Sequence, residues 1–365
     1  MPKIAHIINS MATGGAEKLL VDVIPMLEKK RLDVDLILLN GGEHQLKSQL
    51  ESTMNGQVIS LGNGSVYSPI HVFKLRRLLK TYDIVHVHLF PSLYWVAISK
   101  LIFGYKGQLV FTEHNITNRR FNSWWAAHID RIIYSQYDRV IAITEPIRKI
   151  IGDRFGILNR TFLIENGINL KEIDVSDPYS DEEMKTWILE NNKRILIQIS
   201  AFRQQKDQMT LIKALEYLPS DVILLLVGEG ELLEECRKKA IDLGLESKVF
   251  FLGVRSDVPR LLKSADIVVL SSKYEGMSLS SIEGMASGRP FVASDVPGLS
   301  EIVRGAGVLF SQGDAKQLAN EINHLLDDKK YYNGVVEKCQ KKAALFDVSN
   351  MVQKHVDLYE SIYQA

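Results

Sequence analysis

The chain has 365 residues, 46% hydrophobic and 24% charged, with a formal net charge of zero. That length exceeds what one hydrophobic core ordinarily supports, so two domains are expected, and the composition excludes a disordered or fibrous chain. A zero balance gives no ground for a nucleic-acid partner. It hides an asymmetry: residues 1–169 carry 20 Lys and Arg against 14 Asp and Glu, and residues 170–365 carry 24 against 30. The two halves are therefore expected either to meet different partners or to show ordinary variation. Cys236 and Cys339 lie in helix-like segments without metal-ligand spacing, which fits a reduced, cytoplasmic chain. "KIAHIIN" is too short for a signal peptide, and "LYWVAISKLIF" is interrupted by Lys100 and short of a span. The expected location is the cytoplasm, at most peripheral on the inner face of the cytoplasmic membrane.

In chain order, "KIAHIIN" reads as a buried strand, "SMATGGAE" as a glycine turn and "AEKLLVDVIPMLEKK" as an amphipathic helix. "DVDLILLN" is the next strand and "SPIHVFKLRRLLKTY" the next helix. "DIVHVHL", "QLVFTEH", "RVIAITE" and "TFLIENGI" follow as strands separated by helical stretches. The pattern restarts at "RILIQIS" and runs through "VILLLVGEG", "VFFLG", "DIVVLSS" and "PFVASD", again with helices between. Such alternation indicates βαβ units and parallel sheets. The polar, acidic "NLKEIDVSDPYSDEEM" marks the boundary. The expected domains are 1–169, 170–347 and a final helix at 348–365, giving two doubly wound α/β domains that face each other. In such sheets ligands sit outside the carboxyl ends of the strands, which singles out the loops after them.

Gly14 and Gly15 lie in the first such loop, just before a helix start. They can let a ligand approach the backbone, although a plain turn is the simpler reading of that loop taken alone. The loop is not G-x-G-x-x-G, so a dinucleotide site is poorly supported. Arg203 and Lys206, three residues apart after "RILIQIS", suit a diphosphate as a forked guanidinium and a point charge, or are two solvated loop cations. "SSKYEGMSLSSIEGMASGRP" places Glu275 and Glu283 around a helix start. Ser278 is a good N-cap, so the amides from Gly276 through Met277 and Ser278 to Leu279 face the carboxyl edge, where a phosphate would bind. Glu283 falls at the margin of the apolar stripe, not opposite it. His86 and His88 share one strand face. A metal would need a third ligand, so His86 reads as a satisfied core histidine, while His114 ends its strand and reads as functional. Asp33 and Asp35 form a D-x-D near the start of a strand, which is the wrong end for a metal. "HVFKLRRLLK" is a basic amphipathic helix, able to rest on anionic lipid but equally able to be a solvated face.

Together these blocks resemble the retaining glycosyltransferases of the GT-B fold, glycosyltransferase family 4 (glycosyl transferases group 1). The blocks are "GGAEK", "DIVHVHLF", "TEHN", "IENGIN", "LVGEGEL", "FLGVRSDV" and "SSKYEGMSLSSIEGMASGRPFVASDVPGLSEIV". The last contains the family's Glu, seven residues, Glu signature. The resemblance implies two facing Rossmann-like domains with an interdomain cleft, and a final helix packing back on the first domain. It implies transfer of a sugar from a UDP- or GDP-sugar to a saccharide or lipid-linked acceptor, with retention, without a metal or other cofactor, in surface polysaccharide assembly. By position, Glu283 would hold the ribose hydroxyls, Glu275 would lie beside the donor sugar, and Gly276, Met277, Ser278 and Leu279 would hold phosphate and sugar. Lys206 would neutralise the leaving diphosphate, Gly14 and Gly15 would approach it, and His114 would line the sugar site. Gly253, Val254 and Arg255 would take the base. Where the family often has arginine this chain has Ala201, and Arg203 would supply that charge. Arg119, Arg120, Trp124 and Trp125 would meet a lipid-diphosphate acceptor. Two other functions share the architecture: a nucleotide-sugar 2-epimerase, which needs no acceptor, and a catalytically silent binding subunit.

Overall fold

A computed structural model describes residues 1–12, 14–114, 124–185 and 193–364, with backbone alone at 124–126 and 181. Two compact units divide the chain: Met1–Gly167 with Val348–Ala365, and Ile168–Asp347.

The first unit is built on a seven-stranded parallel sheet. Its strands are β1 (Lys3–Ile8), β2 (Asp33–Leu38), β3 (Val58–Ser60), β4 (Ile84–His88), β5 (Gln108–Glu113), β6 (Arg139–Ala142) and β7 (Thr161–Leu163). They lie in the order β3-β2-β1-β4-β5-β6-β7, so the winding reverses between β1 and β4. The helix α1 (Gly15–Lys29) buries Leu19, Leu20, Val23, Ile24 and Leu27, a helical spacing that makes one apolar stripe. On the same core lies α16 (Val348–Tyr363), which buries Met351, Val352, Val356, Tyr359 and Ile362 with Ile4, Ile8, Ile84 and Val110. The chain thus leaves the second unit at Asp347 and ends as part of the first.

The second unit holds a six-stranded parallel sheet in the order β10-β9-β8-β11-β12-β13. Its strands are β8 (Arg194–Ile199), β9 (Val222–Val227), β10 (Val249–Phe251), β11 (Ile267–Leu270), β12 (Phe291–Ser294) and β13 (Val308–Phe310). β9 and β11 are apolar and buried throughout, as strands covered on both faces must be. Here the winding reverses between β8 and β11. In the polar segment after Ile168, α7 (Leu170–Val175) is a short helix packed on α11 (Val258–Ser264) and α12 (Leu279–Ala286).

α12 begins where Ser278 accepts a hydrogen bond from the Ser281 amide at 3.4 Å. It ends before Gly288, whose φ of +78° is the left-handed turn that favours glycine. β3, β13 and the helix α2 (Gln45–Glu51) are absent from the sequence reading. The two strands have three residues each and α2 has seven, too short for a periodicity to register.

Candidate functional site

In the second unit the reversal between β8 and β11 brings together the loops that follow those two strands. Lys206 closes a single 3-10 turn, Gln204–Lys206, after β8. Its carbonyl accepts from the Gln198 side chain at 3.0 Å, and Ser271 donates to the next carbonyl, Asp207, at 2.9 Å. Gln198 and Ser271 are both buried, so the lysine backbone is pinned from beneath by the ends of β8 and β11. Asp207 follows in the left-handed region at φ +47°, which aspartate tolerates, and accepts from the Thr210 hydroxyl at 2.8 Å.

The Lys206 ammonium reaches Glu275 Oε1 at 2.5 Å. That oxygen also accepts from the Ser272 hydroxyl at 2.6 Å, and Oε2 accepts from the Gln205 amide at 3.3 Å. The Glu275 side chain is only 6% exposed and that of Lys206 only 17%, so both charges depend on each other and on these donors. The Glu275 backbone is fixed as well, its amide donating to Pro297 O at 3.1 Å. Gly298 sits beneath at φ +86°, and a Cβ there would fall 2.1 Å from the Glu275 carbonyl oxygen and 2.6 Å from that of Gly276. Only glycine fits such an approach. Gly276, Met277 and Ser278 run from Glu275 to Leu279 and the start of α12, where Ser278 meets the Ser281 amide and the amides before it have no intrahelical acceptor by helix geometry. A half-buried ammonium, held by Glu275, and the helix start that follows Glu275 therefore lie at the same sheet edge, a combination suited to an anion with several oxygens.

Glu283 is half-buried on the second turn of α12. With Ser280 it lines a small cavity whose other walls are Ile199, Leu262, Val268, Val269, Leu270 and Phe291. Arg203 is exposed and, among the described residues, makes no ion pair. Its exposed, unpaired charge contrasts with the ion-paired one of Lys206. After β10, Gly253 is left-handed at φ +66° and Val254 presents an exposed apolar side chain. The guanidinium of Arg255 is held by both oxygens of Asp257, at 2.7 and 2.6 Å, and lies 3.3 Å from the Tyr179 hydroxyl. Those bonds from Arg255 hold the Asp257 carboxyl down at about 2. The loop that the resemblance assigns to the base thus offers backbone and Val254 more readily than the Arg255 charge.

In the first unit Gly14 is extended, at φ −169°, so its backbone does not require glycine. A Cβ on Gly14 would lie 2.2 Å from Glu17 Oε2, the far end of a flexible side chain that can turn away. Burial raises the Glu17 carboxyl above its ordinary range, and α1 starts at Gly15 directly beside it. Asp33 is exposed, while Asp35 is buried and accepts from the Gln57 amide at 2.7 Å and the Tyr82 hydroxyl at 2.8 Å. That aspartate anchors the sheet. Arg119 and Arg120 lie outside the described residues, as do the side chains of Trp124 and Trp125.

At the reversal between β1 and β4, His6 and His86 are direct cross-strand partners. His6 Nδ1 lies 3.0 Å from His88 Nε2. His86 is bonded on both nitrogens, to the Tyr359 hydroxyl of α16 at 2.6 Å and to the Thr112 hydroxyl at 2.7 Å, as a satisfied core histidine should be. Among the described residues, His6, His86 and His88 are the group that could converge on a metal, with one ligand atom each within 4.8 Å of the others. His6 is the third imidazole that His86 and His88 lacked on sequence grounds. The packed rings instead bond to one another and to hydroxyls. His114 lies at the edge of the cluster, its ring 5.8 Å from that of His88, with its Nε2 buried and without a partner among the described residues.

His355 of α16 completes the cluster, its ring 5.6 Å from that of His86. Burial holds every one of these rings neutral: His6 falls to about 3, His114 and His355 to about 4, and His86 and His88 well below their ordinary value. Each folded value lies below the unfolded one near 6.5, so the unfolded chain binds protons first as pH drops. The stabilisation is whole above about 6.5 and is lost as pH falls towards 4. Thermal melts should therefore fall steeply below pH 6.5, and unfolding of the first unit should account for the drop. A melting temperature flat from pH 7 to 5 would contradict it.

The Glycosyltransferase Family 4 model matches residues 13–172, and the Glycosyl transferases group 1 model matches residues 180–342. The UDP-Gal:alpha-D-GlcNAc-diphosphoundecaprenol alpha-1,3-galactosyltransferase of Escherichia coli is 25% identical, over 98% of this chain and 96% of its own. A Campylobacter jejuni 4-alpha-N-acetylgalactosaminyltransferase named for a diphospho-undecaprenol substrate is 22% identical over 95% of this chain and 96% of its own. Among solved structures, Anabaena Alr3699/HepE in complex with UDP and glucose superposes with a TM-score of 0.86 at 25% identity, covering 99% of this chain and all of that one. Sucrose-phosphate synthase from Thermosynechococcus elongatus gives 0.79 at 22% identity, over the full length of both, and shares the fold.

Proposed function

Because the chain belongs to the glycosyltransferases that join a Family 4 first half to a group 1 second half, we propose that it moves a hexose from a UDP-sugar to a lipid-diphosphate-linked saccharide, with retention and without a metal, in polysaccharide assembly. The observation that carries this reading is the meeting of Lys206, Glu275 and the start of α12 at the carboxyl edge of the second sheet. The UDP bound to Alr3699/HepE and the lipid-linked substrate named for the E. coli relative support the choice of donor and acceptor.

In the reaction the bond from anomeric carbon to the β-phosphate oxygen breaks and one to the acceptor oxygen forms. The acceptor's proton passes to the leaving phosphate oxygen, and the products are UDP and the extended acceptor. The barrier is dominated by negative charge developing on the diphosphate. Lys206 is prepositioned to meet it, because Glu275, Gln198 and Ser271 hold the lysine in place before substrate arrives. The first amides of α12 add fixed dipoles at no reorganisation cost. Glu275 is tied to a cation and a hydroxyl on one oxygen and an amide on the other, so it suits orienting the sugar better than attacking it. Taken with the retention that the family resemblance implies, a Glu275 that does not attack leaves front-face displacement as the route. Glu283 would anchor the ribose hydroxyls, and His114, held neutral by burial, would offer the sugar a neutral imidazole.

Titration calorimetry tests the donor half of the proposal. UDP should bind in the presence of EDTA and more tightly than GDP, and Glu283→Ala should weaken UDP about thirtyfold, the worth of two hydrogen bonds at about 1 kcal/mol each. UDP affinity unchanged by Glu283→Ala would remove the ribose assignment.

A further inference from the structure

Among the described residues, nineteen large hydrophobic side chains are exposed, and six of them crowd on three adjacent helices of the first unit. The helices are α3 (Ile70–Leu78), α4 (Ser92–Phe103) and α5 (Trp124–Ser135). α3 packs on α4, and α4 on α5. Right-handed crossovers leading to β4, β5 and β6 put all three on one face of the sheet, opposite α1. Ile70 and Phe73 stand one turn apart on α3, Leu101 and Ile102 at the end of α4, and Ile129 and Ile132 one turn apart on α5. The Phe73 and Phe103 rings meet at 5.9 Å, which joins the α3 and α4 portions into one surface. Single exposed hydrophobics are ordinary, but a run across three packed helices is not.

The exposed charges carried by these three helices have one sign, with Asp83 and Asp138 the nearest acids in the segments that flank them. α3 and α4 contain no Asp or Glu, and the one acid of α5, Asp130, is buried. Arg76, Arg77, Lys80, Lys106 and Arg131 are all exposed beside it. Lys74 and Lys100 are spent internally, on the Leu61 carbonyl and on Asp138, and are left out of this set. The Arg76 guanidinium lies over the Phe103 ring at 6.0 Å, so cation and apolar surface are interleaved. At 100° per residue Arg77 falls on the same side of α3 as Ile70 and Phe73.

We propose that the α3–α4–α5 face of the first unit docks on an anionic lipid bilayer. Basic side chains would reach the headgroups while Phe73, Leu101, Ile102 and Ile132 enter the interfacial layer, the pattern by which helices lie on membranes without crossing them. None of the described helices is long and apolar enough to cross one. A second copy of the chain is a poor occupant, because a two-fold contact would set these cations against themselves. The proposal deepens the reading of a lipid-linked acceptor, to which it adds the surface that brings the enzyme to that lipid.

Co-sedimentation with vesicles, without donor or acceptor, tests it. The full chain should bind phosphatidylcholine vesicles containing phosphatidylglycerol far better than phosphatidylcholine alone, and less as salt rises. Arg76→Gln with Arg77→Gln should weaken binding about fivefold per charge removed. Phe73→Ser with Ile102→Ser should weaken it at least about tenfold with an unchanged melting temperature. Equal, weak partition to both vesicle types would overturn the proposal. So would a dimer, seen by sedimentation velocity and broken by these substitutions, in a protein that ignores vesicles. Vesicle binding that survives alongside failed transfer to every lipid-linked acceptor would strike the acceptor reading and leave this surface standing.

Discussion

Lys206→Ala is expected to lower kcat by roughly a thousandfold, the worth of a preorganised charge aimed at a developing anion. The substitution also strips a buried carboxylate of its cation, because the Lys206 ammonium is 2.5 Å from Glu275 Oε1 and Glu275 is 6% exposed. Breaking a buried pair on one side costs about 3–5 kcal/mol, so a loss of stability should accompany the loss of rate. The two effects can be separated. Lys206→Met with Glu275→Gln removes both charges and keeps the volume, so it should regain most of the stability and none of the rate. A stable double variant that turns over normally would show that the pair serves folding alone.

Glu275→Gln has the second largest expected effect, a fall in kcat of about 10²–10³-fold with little change in donor KM. The amide can still meet Ser272 and Gln205, whose bonds to Glu275 are 2.6 and 3.3 Å, so geometry should survive. What is lost is the negative charge beside the reacting sugar and the partner that positions Lys206. Rates for the single and double variants should be strongly non-additive, since the two residues act as a unit. Additive losses would mean that they contribute independently, and a rise in KM with kcat intact would make Glu275 a binding residue only.

The alternation of apolar strands with helices made the two parallel sheets legible from sequence, because strands covered on both faces must be apolar throughout. Ser278 and Gly288 bracketed α12 correctly for reasons of capping chemistry. Less was legible about support. Gln198, Gln205, Ser271, Ser272 and Gly298 hold Lys206 and Glu275 in place, and no motif in the sequence marks them as a set. Gln198 did leave a signal, as the one neutral polar residue in the apolar "RILIQI". A polar side chain buried in a central strand needs a partner, and its partner is the lysine loop. Gly298 left none, because its role is set by a close approach to Glu275 more than twenty residues away in the chain. The histidine cluster was half visible: His86 and His88 share a strand, but His6, His355 and Tyr359 join them only through sheet register and the return of α16.

One measurement bears most directly on the account: release of UDP from a UDP-sugar in EDTA, with and without a lipid-diphosphate-linked saccharide. Acceptor-dependent release that EDTA leaves intact, and that Lys206→Ala abolishes, is the predicted result. Conversion of the donor without acceptor, or activity that EDTA removes, would contradict it.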